Sequence, residues 1–94
     1  MIKLYYVRYQ IDRVDDYDTI EEAISEASYQ FYKGYSCSQT VIDEDNQKIY
    51  TLFGKVTINR DFYKFKHNTY DVINTSCFDD EAEWKLAGTF KVGE

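Results

Sequence analysis

Asp18-Thr19-Ile20-Glu21-Glu22-Ala23-Ile24-Ser25-Glu26-Ala27-Ser28-Tyr29-Gln30-Phe31-Tyr32-Lys33-Gly34 decides the fold, because it is the clearest helical pattern in a chain that otherwise reads as strands. Ile20, Ala23, Ile24, Ala27 and Phe31 recur at the three- and four-residue spacing of one apolar helical face. Asp18 is the expected N-cap, and Glu21 three residues later completes a capping-box pattern. Gly34 suits the position just past the helix, where the backbone turns left-handed and a Cβ is penalised. Asp18, Glu22 and Glu26 recur every fourth residue and form a stripe turned away from the apolar face, with Glu21 and Ser25 beside it. Charge on the outer face of an amphipathic helix is the ordinary condition, so each carboxylate alone reads as solvated.

Outward from the helix, Ile2 to Tyr9 is β-branched and aromatic and predicts a strand. Ile2, Leu4 and Tyr6 take one face, and Tyr5, Val7 and Tyr9 the other. Both faces are apolar, which suits a central strand. Gln10 to Tyr17 reads as a polar connection containing Asp12, Asp15 and Asp16. Beyond the helix, Tyr35–Ile42 and Lys48–Phe53 predict a hairpin about the turn Asp43-Glu44-Asp45-Asn46-Gln47, whose residues bond readily to local backbone. Gly54 permits a bend, and Lys55–Ile58 continues as strand. Asn59–Lys66 fits strand or helical turn equally. Tyr70–Ile73 predicts a strand extending towards Phe78, Asp79-Asp80-Glu81 a turn or helix start, and Ala82–Val92 a last strand weakened at Gly88, with a short helix over 79–87 as the rival.

The expected architecture is a single α+β domain over residues 1–94: one mainly antiparallel sheet in β-α-β-β-β-β order, with the helix packed on one face. The other face must then be covered or shared. The 10 Tyr and 6 Phe residues either fill a small core or bury that face in a homodimer.

Charge bounds the function classes. The net charge is −6. Residues 1–54 carry −5, residues 55–78 carry +2 and residues 79–94 carry −3. An acidic surface repels nucleic acid and anionic lipid, so direct nucleic-acid binding and membrane binding are excluded, and a basic protein partner is favoured. Met1–Gln10 holds Lys3 and Arg8 and lacks a long apolar core, so a secretory leader is not expected. The expected location is the cytoplasm, with Cys37 and Cys77 as free thiols.

No motif for catalysis, metal or cofactor stands out. One His and two isolated Cys cannot make a structural zinc site. Asp43-Glu44-Asp45-Asn46 lacks the Gly and the terminal Glu of a calcium loop. Gly34, Gly54, Gly88 and Gly93 lie outside any phosphate-cradling motif. His67, between Lys66 and Asn68, reads as a loop histidine. A nuclease reading would need it beside a carboxylate and near Arg60, Lys64 or Lys66. The expectation is a non-enzymatic binder.

The candidate partner-binding residues are therefore acids: Asp12, Asp15, Asp16, Asp18, Glu21, Glu22 and Glu26, then Asp43, Glu44 and Asp45. Four helical residues advance roughly 6 Å, and two phosphate steps along one DNA strand roughly 7 Å. A carboxylate ladder at that spacing imitates a duplex edge. A short, Pro-free, Tyr-rich acidic chain with its acid set over Asp12–Glu26 resembles the small anti-defence proteins of T-even-like phages, the anti-restriction DNA mimics. That resemblance implies inhibition of a basic DNA-binding protein or nuclease in the host cytoplasm. A charge of −6 is modest for such a mimic, and the basic run Lys55, Arg60, Lys64 and Lys66 should then lie away from the helix. Two other binders compete with it. One is an immunity- or antitoxin-type plug for a basic toxin, anchored by Tyr17, Tyr29 or Tyr32. The other sequesters a small ligand at a dimer interface.

Overall fold

The helix α1 runs from Ile20 to Tyr32 in the computed structural model, which describes residues 1–36, 38–52, 56, 62–75 and 83–93. Its N-cap is Thr19 rather than Asp18. Thr19 is extended (φ −131°, ψ 156°), and its hydroxyl accepts the backbone N–H of Glu22 at 3.2 Å. The capping sequence thus begins one residue later than expected, at Thr19-x-x-Glu22. At the far end Gly34 is left-handed (φ 75°). Its N–H donates to Phe31 O at 3.1 Å, and Tyr35 N–H donates to Gln30 O at 3.0 Å. This pair of bonds is the Schellman arrangement, which satisfies the last helical carbonyls.

Around the helix lie β1 (Ile2–Arg8), β2 (Ile11–Tyr17), β3 (Gln39–Asp43), β4 (Lys48–Thr51), β5 (Thr69–Asn74) and β6 (Lys85–Lys91). They form one six-stranded sheet in the order β2-β1-β3-β4-β5-β6. The α+β class with one sheet and one helix is as expected. Two details differ. Residues 11–17 are a strand, not a connection, and β4 pairs with β5 in parallel, so the sheet is mixed. A parallel pair needs a long crossover, here residues 52–68, where the sequence suggested a meander. The hairpin of β3 and β4 stands, with β3 beginning at Gln39 rather than Tyr35, while the expected continuation to Phe53 falls outside the described residues. The final strand prevails over the rival helix from Lys85 onward, and the register slips opposite Gly88. Cys37, Gly54, Lys55, Arg60, Cys77, Phe78, Asp79, Asp80, Glu81 and Ala82 lie outside the described residues, as do the readings placed on them.

Each sheet face has its own core. On the helix side, Ala23, Ile24 and Ala27 pack with Ile2, Leu4, Tyr6, Val41 and Tyr50. On the opposite side, Tyr5, Ile42, Ile49, Tyr70, Val72 and Phe90 pack beneath Tyr63, with Phe62 and Phe65 against them. Edge-on ring contacts of Tyr63 with Tyr5 (4.8 Å) and Phe65 (5.4 Å) knit this layer. The second face is therefore covered by the chain's own crossover. Among the described residues, Phe62, Tyr63 and Phe65 supply cover for the face that could otherwise have been shared with a second copy.

A buried polar lock fixes the crossover. Tyr70 donates its hydroxyl to Glu44 Oε2 at 2.5 Å and accepts the N–H groups of Lys66 and His67 at 3.2 and 3.0 Å. Lys66 N–H also donates to Glu44. Tyr63 donates to Thr40 Oγ1 at 3.0 Å. Burial pushes both phenols up: Tyr70 reaches about 12, with the Glu44 hydrogen bond adding to it, and Tyr63 also rises.

Candidate functional site

Residues 11–26 hold seven carboxylates against one cation, Arg13, a net of −6. The remainder of the chain holds ten acids and ten bases, so the whole net charge of the protein resides in β2, the cap and the first half of α1. These elements adjoin one another: β2 is the terminal strand, and α1 packs over β3, β1 and, more lightly, β2.

Strand alternation splits the acids of β2 between two faces. Asp15, opposite Leu4, lies on the helix side, and its carboxylate accepts the Tyr6 hydroxyl at 2.9 Å. Asp12 and Asp16, opposite Val7 and Lys3, lie on the other side. Asp16 pairs with Lys3 Nζ at 2.6 Å and is the one member of the seven with an ion pair among the described residues. On the helix, Glu21 and Glu22 are exposed, and Glu26 accepts from Gln30 Nε2 at 3.3 Å. Tyr17 reports the field that joins the two elements. Burial first, then Glu26, Asp15 and Glu22, push its phenol up to about 12.

The turn acids separate from this edge. Asp43 is 1% exposed and caps its own turn, accepting from Asn46 N–H and Nδ2 at 3.3 and 2.8 Å. Glu44 is 4% exposed and belongs to the Tyr70 lock. Neither presents surface charge. Asp45 is exposed but bonded to the Met1 ammonium at 3.1 Å, which holds its carboxyl below the usual range. Asp18, Glu21, Asp43 and Asp45 do line one shallow cleft of about 300 Å³ at the helix start. Among the described residues no three His, Cys, Asp or Glu side chains are grouped to hold a metal ion. His67 lies on an exposed turn, its ring 6.1 Å from that of Tyr70. Lys64 and Lys66 are exposed on the crossover, across the sheet from the helix.

A second surface was not legible as one. At the far end of α1, Tyr29, Tyr32 and Tyr35 are exposed, and the Tyr29 and Tyr35 rings meet at 6.0 Å. Arg8 stacks over Tyr35 at 4.7 Å and over Tyr9 at 5.4 Å. Tyr9 and Gln10 form the two-residue loop between β1 and β2, both left-handed (φ 53° and 63°). Such loops favour Asn-Gly, and non-glycine residues there are strained. The loop holds Tyr9 80% exposed beside a cleft of about 530 Å³, walled by Phe31, Tyr35 and Ser36 among others. Nothing in the spacing of Tyr9 and Tyr35 along the chain announces that they line one cleft.

No known protein family, no characterised protein and no solved structure matches the chain. Among the described residues, no helix is long and apolar enough to cross a membrane.

Proposed function

We propose that this chain is a non-enzymatic inhibitor that seats its acidic edge in the basic, nucleic-acid-binding surface of a partner protein, a DNA-binding protein or nuclease. The single observation that carries this reading is that residues 11–26, from β2 through Asp18 into the first half of α1, account for the entire −6 charge. Concentrated charge of one sign steers a basic partner and selects against acidic ones. The helix adds Glu22 and Glu26 at roughly 6 Å spacing, near the roughly 7 Å of two phosphate steps on one strand. The exposed bases Lys64 and Lys66 lie across the sheet from Glu21, Glu22 and Glu26 of the helix. The resemblance to phage anti-restriction proteins points the same way, with the host cytoplasm as the place of action.

The test is steady-state cleavage of duplex DNA by purified restriction endonucleases with the protein added. Competition with substrate, raising apparent KM at constant kcat, supports the reading. Inhibition of a target that lowers kcat alone, with KM unchanged, contradicts it.

A second reading has its own observation. The exposed face of α1 changes from Glu22 and Ser25 to Tyr29 and Tyr32 along one stripe. Aromatic anchors beside charge are the makeup of a toxin plug, whose affinity collapses at a few residues. Alanine at Tyr29 or Tyr32 abolishes binding under that reading, and changes it little under charge mimicry.

A further inference from the structure

The two edges of the sheet are built differently. The β6 edge is broken: Gly88 faces Val72, Leu86 faces Ile73, and Ala87 bulges between them, with Lys85 and Lys91 at the ends. Bulges and lysines are the usual means of stopping another strand from adding. The β2 edge has no such break. It runs in continuous register with β1 over seven residues, Ile11–Tyr17, and Ile11 to Asp16 are all exposed. Its two-residue loop makes Arg8 and Ile11 the first hydrogen-bonded pair, so alternation turns the N–H and C=O of Asp12, Val14 and Asp16 outward.

We propose that the outer edge of β2 is a strand-addition site that takes an extended basic segment of a partner protein as a further strand. The inference rests on the acidic-edge reading and names how part of that edge is met. Charge selects the occupant. A second copy paired about Val14 sets Asp12 of one chain against Asp16 of the other, while Arg13 meets Asp15 on the opposite face, and each strand still brings a net −2. A basic strand meets no such repulsion. Asp12 and Asp16 flank the exposed Val14 on one sheet face, so the matching pattern is Lys/Arg-x-apolar-x-Lys/Arg. Main-chain bonds to the edge supply affinity, and the alternate side chains supply selection.

The probe is the peptide acetyl-Thr-Lys-Thr-Val-Thr-Lys-Thr-amide, titrated into the protein and followed by amide NMR shifts. The expected result is saturable shifts along β2 and slowed exchange of the Asp12, Val14 and Asp16 amides. N-methylation at the peptide's Val, which removes a bond to the edge, weakens binding by about tenfold or more. N-methylation at the central Thr residues, whose amides face away, leaves it unchanged. Val14→Pro abolishes peptide binding without altering charge, since its N–H is not used by β1. The methylated peptides decide the matter if that variant fails to fold. Equal effects of both methylations, or no saturable shifts, overturn strand addition. If Asp12→Asn with Asp16→Asn weakens binding while methylation does not, strand addition fails and the acidic-edge reading stands. If the nuclease competition fails as well, both fall. Concentration-dependent dimerisation through β2, removed by Val14→Pro, makes a second copy the occupant and overturns the proposal.

Discussion

Tyr70 shows how a single side chain holds two parts of this molecule together. Its hydroxyl bonds the Glu44 turn on one side and the Lys66 and His67 amides on the other. Tyr70→Phe removes that oxygen and leaves a buried carboxylate and an amide short of partners. A loss of about 2–4 kcal/mol is expected by urea denaturation; a loss comparable to an exposed Tyr→Phe change would show the lock to be incidental. The phenols also set an alkaline limit. Tyr17 and Tyr70 rise from 10.0 to about 12 in the folded chain. Between those values the folded state keeps protons that the unfolded state has released. Their contribution is complete below pH 10, and stability falls as pH climbs towards about 12. Denaturation midpoints that stay flat over this window would contradict the assignment. At this scale the sequence was least informative. Glu44 and Asp43 carry the same letters as surface acids, and only the fold shows that one is a buried acceptor and the other a turn cap.

The helix was legible because its apolar spacing, cap and terminal glycine agree. The cap slipped by one residue because Asp18 and Thr19 are both competent caps, and the extended backbone at Thr19 decides between them. Thr19→Ala should cost about 1 kcal/mol and Asp18→Ala only a few tenths, measured by thermal or urea unfolding. The reverse order would restore Asp18 as cap. Strand β2 was not legible for a physical reason. An edge strand exposed on both faces needs no apolar alternation, and Asp12, Asp15 and Asp16 are residues that strands elsewhere disfavour. Its loop, Tyr9-Gln10, lacks the Asn or Gly that marks a tight hairpin. The β4–β5 crossover was missed because the aromatics of residues 62–65 fit strand and turn alike, until Tyr5, Tyr70 and Phe90 are seen beneath them.

At the scale of the whole molecule, the sequence contained the acid excess but not its geography. Asp43 and Glu44 withdraw into structure, the acids of residues 11–26 fall on the terminal strand and the helix beside it, and the aromatics of Tyr9, Tyr29 and Tyr35 gather at the other end of the helix. We propose that the acidic edge itself is what a basic partner grips. The most direct measurement is the inhibition constant of the charge-reversed protein Glu22→Lys with Glu26→Lys against a susceptible nuclease, taken across a salt series with circular dichroism confirming the fold. The expected result is inhibition weakened by about tenfold or more at low salt, with a shallower salt dependence than the unaltered chain. Undiminished inhibition by the folded, charge-reversed protein would contradict it.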